Sequence, residues 1–146
     1  MCIRDRIETN RLKLEITESA FVNDQDLLIK NVVALQKAGF IVEMDDFGSG
    51  YSSFNSLKDI PIDVLKLDMK FLDGDINNKK TSEILTSVIS MAHRINLPVI
   101  AEGVETKEEL SCVKKLGADY IQGYYYGKPV CLQDFEEQHL KRFVLG

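Results

Sequence analysis

The chain alternates short apolar, β-rich runs with amphipathic helical patterns, and this alternation constrains its fold more than any other feature. Strands are predicted at residues 11–16, 40–44, 63–67, 97–101 and 119–122. Helices are predicted at residues 24–38, 81–95, 106–117 and 133–142. Strands and helices that alternate with connections of this length are typical of parallel βαβ units. We therefore predict an α/β fold with about five parallel strands and intervening helices.

Local signals refine this outline at two places. Thr106 is followed three residues later by Glu109, which predicts a capping box at the start of a helix. Residues 45–62 contain Gly48, Gly50, several serines and Pro61, and this composition predicts a turn-rich connection.

Periodicity leaves two architectures open, an open doubly wound sheet and part of a (β/α)₈ barrel. No glycine-rich phosphate loop follows any predicted strand, so the usual reason to favour a nucleotide-binding open sheet is missing. A complete barrel takes about 250 residues. The 146 residues of this chain are too few for that, so a barrel would be incomplete.

Composition narrows the range of partners and compartments. The formal net charge is −5 without long basic runs, which argues against a DNA or RNA polymer as partner because phosphate contacts need clustered Lys and Arg. Three widely spaced cysteines fit neither a disulfide framework nor a zinc site. No apolar stretch approaches the roughly 18 residues that span a bilayer. We expect a cytoplasmic domain, and attachment to a membrane through other domains of a longer protein stays open.

Polar and charged residues collect where the predicted strands end. They are Glu15, Asp45, Asp46, Lys66, Asp68, Glu102, Glu105 and Gln122. The carboxyl ends of parallel strands open on one face, and active sites are built there. Clustered carboxylates repel one another unless a cation compensates them, and hard oxygen ligands select Mg²⁺ or Mn²⁺. The sequence therefore predicts a metal-assisted site on this rim.

These residues could also have purely structural roles. Glu102 and Glu105 could be first-turn acids that the helix dipole favours. Asp45 and Asp46 are consecutive, so a regular strand would point them to opposite faces. Gly48 and Gly50 would let the chain bend and turn both carboxylates to one pocket. The joint placement on one rim favours the functional reading.

The remaining aromatic and histidine residues are less informative. His93 lies in a predicted helix with no acidic residue close in sequence, so we expect it to be structural or exposed. Residues 124–126 are three tyrosines that fit a pocket mouth and packing at a barrel end equally well.

Five motifs occur in order along the chain. They are Leu-Glu-Ile-Thr-Glu-Ser at 14–19, Asp-Asp-Phe-Gly-Ser-Gly at 45–50, Lys-Leu-Asp at 66–68, Ala-Glu-Gly-Val-Glu-Thr at 101–106 and Gln-Gly-Tyr at 122–124. Together they resemble the second half of the EAL domain, a TIM-like barrel that hydrolyses cyclic di-GMP to pGpG. The resemblance runs from about Arg11 to Val130. It implies a partial TIM-like barrel whose N-terminal half is missing.

The resemblance also implies a role for each matching residue. The implied metal ligands, for two Mg²⁺ or Mn²⁺ ions in the intact domain, are Glu15, Asp45, Asp46 and Glu102. The implied catalytic residues are Lys66, Glu102 and Glu105. Asp68 and Gln122 match substrate-contacting positions. Glu18, Gly48 and Gly50 match residues that support the loop 47–53.

The chain departs from the family pattern in one large respect. The Glu-Ala-Leu motif is absent, as is the asparagine ligand expected on a strand before Glu15. We expect residues 1–6 to be a non-native leader and residues 7–146 to be the C-terminal part of the domain. Alone, this chain is expected to bind metal poorly, to have little or no activity, and to expose strand 11–16 as an edge.

Two other functions stay open at this point. A non-catalytic cyclic di-GMP receptor would use the same pocket, although this chain keeps the acids that a degenerate member would be expected to lose. A different metal-dependent barrel, such as an enolizing enzyme with a lysine base, would also place a lysine among carboxylates. Homodimerisation through the barrel stays open as well.

Overall fold

The computed structural model of the chain describes residues 7–17, 20, 24–47, 54–69 and 78–140. Its elements in chain order are β1 (Lys13–Thr17), α1 (Gln25–Lys37), β2 (Ile41–Asp45), α2 (Phe54–Asp59), β3 (Val64–Asp68), α3 (Lys79–Arg94), β4 (Val99–Glu102), α4 (Lys107–Leu116), β5 (Tyr120–Ile121) and α5 (Leu132–Phe135). A 3₁₀ turn, Thr9–Arg11, precedes β1, and a π-helical turn, Glu136–Leu140, follows α5. The expected leader, 1–6, lies outside the described residues.

The five strands form one parallel sheet in the order β1-β2-β3-β4-β5. This confirms the predicted α/β fold with five parallel strands, whose ends differ from the sequence prediction by one or two residues. Each strand lies beside the strand that precedes it in the chain. A doubly wound sheet would instead reverse its strand order at a switch point. The sequential order is therefore that of a barrel wall, with β1 and β5 at the two edges of the described sheet.

Alternate residues of the strands face two different environments. Val42, Leu65 and Val99 are fully buried and pack with Val32 of α1 and Ile89 of α3 in the main apolar core. The residues between them on the same strands point to the other side of the sheet. The helix-covered face is thus apolar, and the opposite face is left for the polar residues of the site.

The connection at residues 45–62 is more regular than predicted. It contains α2, where the sequence composition had indicated only turns. Leu57 and Ile60 lie three residues apart and are 7% and 3% exposed, so both are anchored in the core. Burial of this pair outweighs the weak helix propensity of the surrounding Gly and Ser residues, which the sequence prediction had weighted more heavily.

Two aspartates at the amino ends of strands repeat one device. Asp63 accepts a hydrogen bond from the Val42 N–H at 2.8 Å, and Asp119 accepts one from the Val99 N–H at 2.8 Å. Asp119 also contacts His93 Nε2 at 2.8 Å, and His93 is exposed, as expected. That partner is 26 residues away in sequence and reaches His93 only through the fold. These contacts fix the end of the sheet remote from the polar strand ends.

The predicted capping box at the start of α4 is confirmed. Thr106 Oγ1 accepts from the Glu109 N–H at 3.1 Å, and Glu109 Oε2 accepts from the Thr106 N–H at 2.9 Å. Glu109 also accepts from the Glu105 N–H at 2.7 Å. The helix ends at Gly117, whose φ of 90° is left-handed and favours glycine. The box therefore fixes the loop that joins β4 to α4.

Cysteine chemistry and membrane crossing were both judged from sequence. Cys112 and Cys131 are free thiols, in keeping with the predicted lack of a disulfide framework, and Cys2 is outside the described residues. Among the described helices, none has the length and apolar character needed to cross a bilayer.

We predict that Thr106→Ala lowers the free energy of unfolding by about 1 kcal/mol, because the Glu109 N–H loses its acceptor. Urea denaturation measures this loss. Thr86→Ala is the matched control, since Thr86 is exposed in the interior of α3 and alanine is the better helix former. Equal effects of the two substitutions would contradict a capping role for Thr106.

Candidate active site

Lys66 is the centre of the polar face of the sheet. Its ammonium lies 2.9 Å from Glu102 Oε1 and 3.2 Å from Asp45 Oδ1, and it also bonds to Glu15 Oε1. The Lys66 side chain is only 3% exposed. Carboxylates from β1, β2 and β4 thus surround one buried cation from β3. The structure brings together these four predicted site residues, which we call the Lys66 cluster.

Strand register explains why these residues meet. Asp68 of β3 pairs with Glu102 of β4, and Thr17 of β1 pairs with Asp45 of β2. Lys66 lies two residues before Asp68, so both side chains project from the same face. The long lysine side chain can therefore reach the level of the strand ends, where the carboxylates are.

Asp46 turns the chain at the end of β2. Its φ of 56° is left-handed, which is uncommon for a residue with a side chain, and its N–H donates to Asp45 Oδ1 at 3.0 Å. The Phe47 N–H then donates to the Lys66 carbonyl at 3.3 Å. The sequence prediction assigned this bend to Gly48 and Gly50, which lie outside the described residues, as does Glu18.

The carboxylates of the cluster perturb one another. Burial is the largest influence on Glu102 and raises its pKa; Asp45 adds to the rise, Lys66 opposes it, and the pKa comes to about 7. Burial also favours the neutral form of Asp45, but its hydrogen bonds with Glu102 and Lys66 outweigh burial and hold the pKa of Asp45 below its ordinary value. Glu102 is therefore the carboxyl of this pair that holds a proton most readily.

Burial and neighbouring charges also set the pKa values of Lys66 and Asp46. Burial would lower the pKa of Lys66, yet its bonds to Glu15 and Glu102 raise that pKa above the ordinary lysine value. Burial, followed by repulsion from Asp45 and Asp68, raises the pKa of Asp46. Asp46 and Asp68 thus lie near enough to the Lys66 cluster to extend its negative field.

Glu105 and Gln122 line an open cleft of about 950 Å³ that reaches Gly103, the residue after Glu102, and whose described lining contains none of the four residues of the Lys66 cluster. Tyr124, Tyr126 and Phe135 also line the cleft, so two of the three tyrosines at 124–126 do face a pocket. A cleft of this size is within the range of small-molecule sites. The polar residues of its wall adjoin exposed aromatic rings, which suits a ligand with both polar and flat apolar parts.

Gly123 lets the two loops of this cleft approach each other. A Cβ at this position would lie 2.1 Å from the Val104 carbonyl oxygen, which is far inside van der Waals contact. Without one, the Val104 N–H donates to the Gln122 carbonyl at 3.3 Å, and the Tyr125 N–H donates to the Val104 carbonyl at 3.0 Å. These bonds join the loop after β4 to the loop after β5.

The sequence prediction missed a second polar layer beneath the Lys66 cluster. Glu43 of β2 is 3% exposed and lies 2.8 Å from the Lys13 ammonium, which is also 5.5 Å from the centre of the Tyr120 ring. Lys13 therefore connects the first strand with the last across the polar face of the sheet. The signal was present in the sequence, because Lys13 and Glu43 each precede a predicted site residue by two positions and so share its face.

The donor set of the rim suits a hard divalent cation. Glu15, Asp45, Asp46 and Glu102 offer only oxygen, the ligand type that Mg²⁺ and Mn²⁺ prefer. In the present side-chain arrangement, no three His, Cys, Asp or Glu side chains of the described ranges are grouped to hold one metal ion directly. Three of the four predicted ligands bond to the Lys66 ammonium instead. The oxygen ligands of these residues are therefore suitable for such an ion. In the described structure, Lys66 supplies the positive charge that these carboxylates require.

We predict that the stability of the metal-free chain depends on pH through Glu102. The folded pKa of about 7 exceeds the ordinary 4.5, so the stabilisation is complete below pH 4.5 and is lost as pH rises through 7. Urea denaturation in EDTA should therefore show the wild type losing stability over this interval relative to Glu102→Gln. Glu108→Gln, on an exposed residue of α4, should follow the wild type. Parallel pH profiles of wild type and Glu102→Gln would contradict the assignment.

Comparison with known proteins identifies the family of this chain. A model of the EAL domain matches residues 2–129. The cyclic di-GMP phosphodiesterase NbdA of Pseudomonas aeruginosa is 36% identical over 126 residues, which are 86% of this chain and 16% of NbdA. The chain thus spans about a sixth of that curated relative.

Solved structures show the same relationship. The EAL domain of Mycobacterium smegmatis DcpA superposes with a TM-score of 0.87 at 31% identity, over 96% of this chain and 63% of that one. The PaMucR phosphodiesterase in complex with c-di-GMP superposes with a TM-score of 0.83 at 31% identity, over 92% of this chain and 54% of that one. EAL structures are TIM-barrel-like, and the five described strands are part of such a barrel. The chain therefore belongs to the EAL domain family, as its motifs indicated, and is part of an EAL domain.

Proposed function

We propose that this chain is the C-terminal part of a domain that hydrolyses a phosphodiester bond of cyclic di-GMP to give pGpG. The observation that carries the proposal is the convergence of Glu15, Asp45 and Glu102 on Lys66, with an aromatic-lined cleft that reaches Gly103, the residue after Glu102. The relatives named as cyclic di-GMP phosphodiesterases support this substrate. The free thiols of Cys112 and Cys131 are in keeping with a reducing, cytoplasmic location.

The proposed chemistry assigns a role to each group of the rim. A water molecule attacks phosphorus, one phosphorus–oxygen ester bond breaks, and the water gives up a proton to Glu102. A pKa of about 7 suits Glu102 to accept a proton near neutral pH and to return it to the leaving oxygen. Lys66 supplies positive charge where negative charge develops on the phosphoryl oxygens.

The remaining residues bind and orient the dinucleotide. Gln122 and Glu105 line the cleft that reaches Gly103, and Tyr124 and Tyr126 offer ring faces on which a base can stack. Two Mg²⁺ or Mn²⁺ ions, held by Glu15, Asp45, Asp46 and Glu102, would supply Lewis-acid stabilisation and lower the pKa of the attacking water. Asp68, which lies in register with Glu102, completes the acidic rim.

We further propose that the 146-residue chain has little or no activity by itself. Its sequence lacks the Glu-Ala-Leu motif, and with it one glutamate ligand that the family pattern contains. Each solved EAL chain compared above is also substantially longer than the matched region. β1 and β5 are the two edges of the described sheet, where further strands of a complete barrel would pair.

We predict that the chain extended with an EAL-family N-terminal half releases pGpG from cyclic di-GMP in the presence of Mn²⁺ or Mg²⁺. Chromatography of the products measures the release. Glu102→Gln in the extended protein should lower kcat by at least about 100-fold, because proton transfer and ion binding are both impaired. Glu108→Gln is the matched control and should leave kcat unchanged, since it lies exposed on α4.

Three outcomes separate the candidate functions. Turnover that Glu102→Gln abolishes supports the hydrolase. Binding of cyclic di-GMP without turnover by the extended protein would replace the hydrolase with the receptor function. A lack of both binding and turnover would contradict both cyclic-dinucleotide functions.

Rapid turnover by the 146-residue chain alone would show that the missing motif is dispensable.

A further inference from the structure

The Lys66 cluster is already compensated by a cation that belongs to the chain. Among the described residues, Lys66 is the cation that ion-pairs with Glu15, Asp45 and Glu102. Its side chain is 3% exposed, and those of Asp45 and Glu102 are 21% and 14% exposed. Solvent therefore screens these charges poorly, and the ammonium is the nearest group that can offset the repulsion among the carboxylates.

The same oxygens are the ones that a divalent cation would need. Lys66 bonds to Glu15 Oε1, Asp45 Oδ1 and Glu102 Oε1, one oxygen of each of three proposed ligands. An ammonium donates at most three hydrogen bonds, so its donors are all engaged in the cluster. A metal ion placed among these carboxylates would also be repelled by the ammonium at close range.

We propose that the Lys66 ammonium and a divalent cation are alternative partners of these carboxylates, so that metal loading releases Lys66. This inference rests on the proposed function, because it takes the rim to be a metal site. Without metal, Lys66 holds the ends of β1, β2 and β4 together, and its own charge is fully engaged. With metal bound, the released ammonium can donate to an anionic ligand. Lys66 would thus couple metal binding to recognition of the phosphodiester, with the metal binding first.

The test compares Lys66→Met with wild type in the chain extended with an EAL-family N-terminal half, since methionine keeps much of the side-chain length without the charge. In EDTA, thermal unfolding of Lys66→Met should occur about 5 °C or more below wild type, because the partly buried Asp45 and Glu102 lose their partner. Calorimetric titration with MnCl₂ should show Lys66→Met binding the ion about tenfold more tightly than wild type, because the competing ammonium is gone. Lys114→Met, on the exposed surface of α4, should match wild type in both measurements.

A second measurement uses the unaltered chain and does not depend on the folding of the variant. The ¹⁵N-labelled Lys66 ammonium should give a slowly exchanging NMR signal in EDTA, since it is buried and engaged. Saturation with Mg²⁺ should shift this signal and speed its exchange with water. An unchanged signal with Mg²⁺ bound would overturn the proposal.

The outcomes distinguish the failure of this inference from that of the proposed function. If wild type binds Mn²⁺ clearly and Lys66→Met binds it equally or more weakly, the proposal that Lys66 competes with the metal ion is wrong. The metal site itself would still be supported. Absence of Mn²⁺ binding in wild type and in Lys66→Met, both in the chain extended with an EAL-family N-terminal half, contradicts the metal site itself and the inference with it.

Discussion

The structure depends on one buried cation. Lys66 extends along the polar face of the sheet and reaches carboxylates of β1, β2 and β4 at the strand ends. A buried charge is tolerated only when it is paired, and the partly buried Asp45 and Glu102 need a partner more than the half-exposed Glu15 does. The arrangement therefore requires correct register in all four strands, because a slip of one residue would turn a carboxylate to the apolar side.

Structural contacts and charged groups lie at opposite ends of the strands, just as apolar and polar residues lie on opposite faces of the sheet. At their amino ends, Asp63 and Asp119 accept backbone hydrogen bonds from neighbouring strands. At their carboxyl ends, the strands carry the charged groups of the Lys66 cluster. Chemical groups at the carboxyl ends and structural contacts at the opposite end are the usual division in parallel barrels. The chain preserves this division although it is only part of such a barrel.

Much of the fold and the site could be predicted from sequence, because both follow from short-range periodicity. All five strands were found from their short β-rich sequences, and the cap of α4 was found from Thr106 and Glu109 alone. The convergence of Glu15, Asp45, Lys66 and Glu102 followed from one rule about parallel strand ends. The family resemblance then gave those residues roles that periodicity could not give.

The features that sequence did not show depend on contacts between distant segments. The short helix α2 was missed because buried Leu57 anchors it against a composition that favours turns. The partner of His93 is remote in sequence, so only the assembled sheet brings Asp119 to it. The left-handed turn at Asp46 is a property of the folded strand end, whereas sequence pointed to the glycines that follow.

The most direct test of the central claim is anomalous diffraction from crystals of the chain, extended with an EAL-family N-terminal half and equilibrated with MnCl₂. The account predicts anomalous density among the carboxylates of Glu15, Asp45, Asp46 and Glu102, with the Lys66 ammonium moved away from the oxygens that bind the ion. Density elsewhere on the molecule, with Lys66 still bonded to all three carboxylates at saturating manganese, would contradict the account.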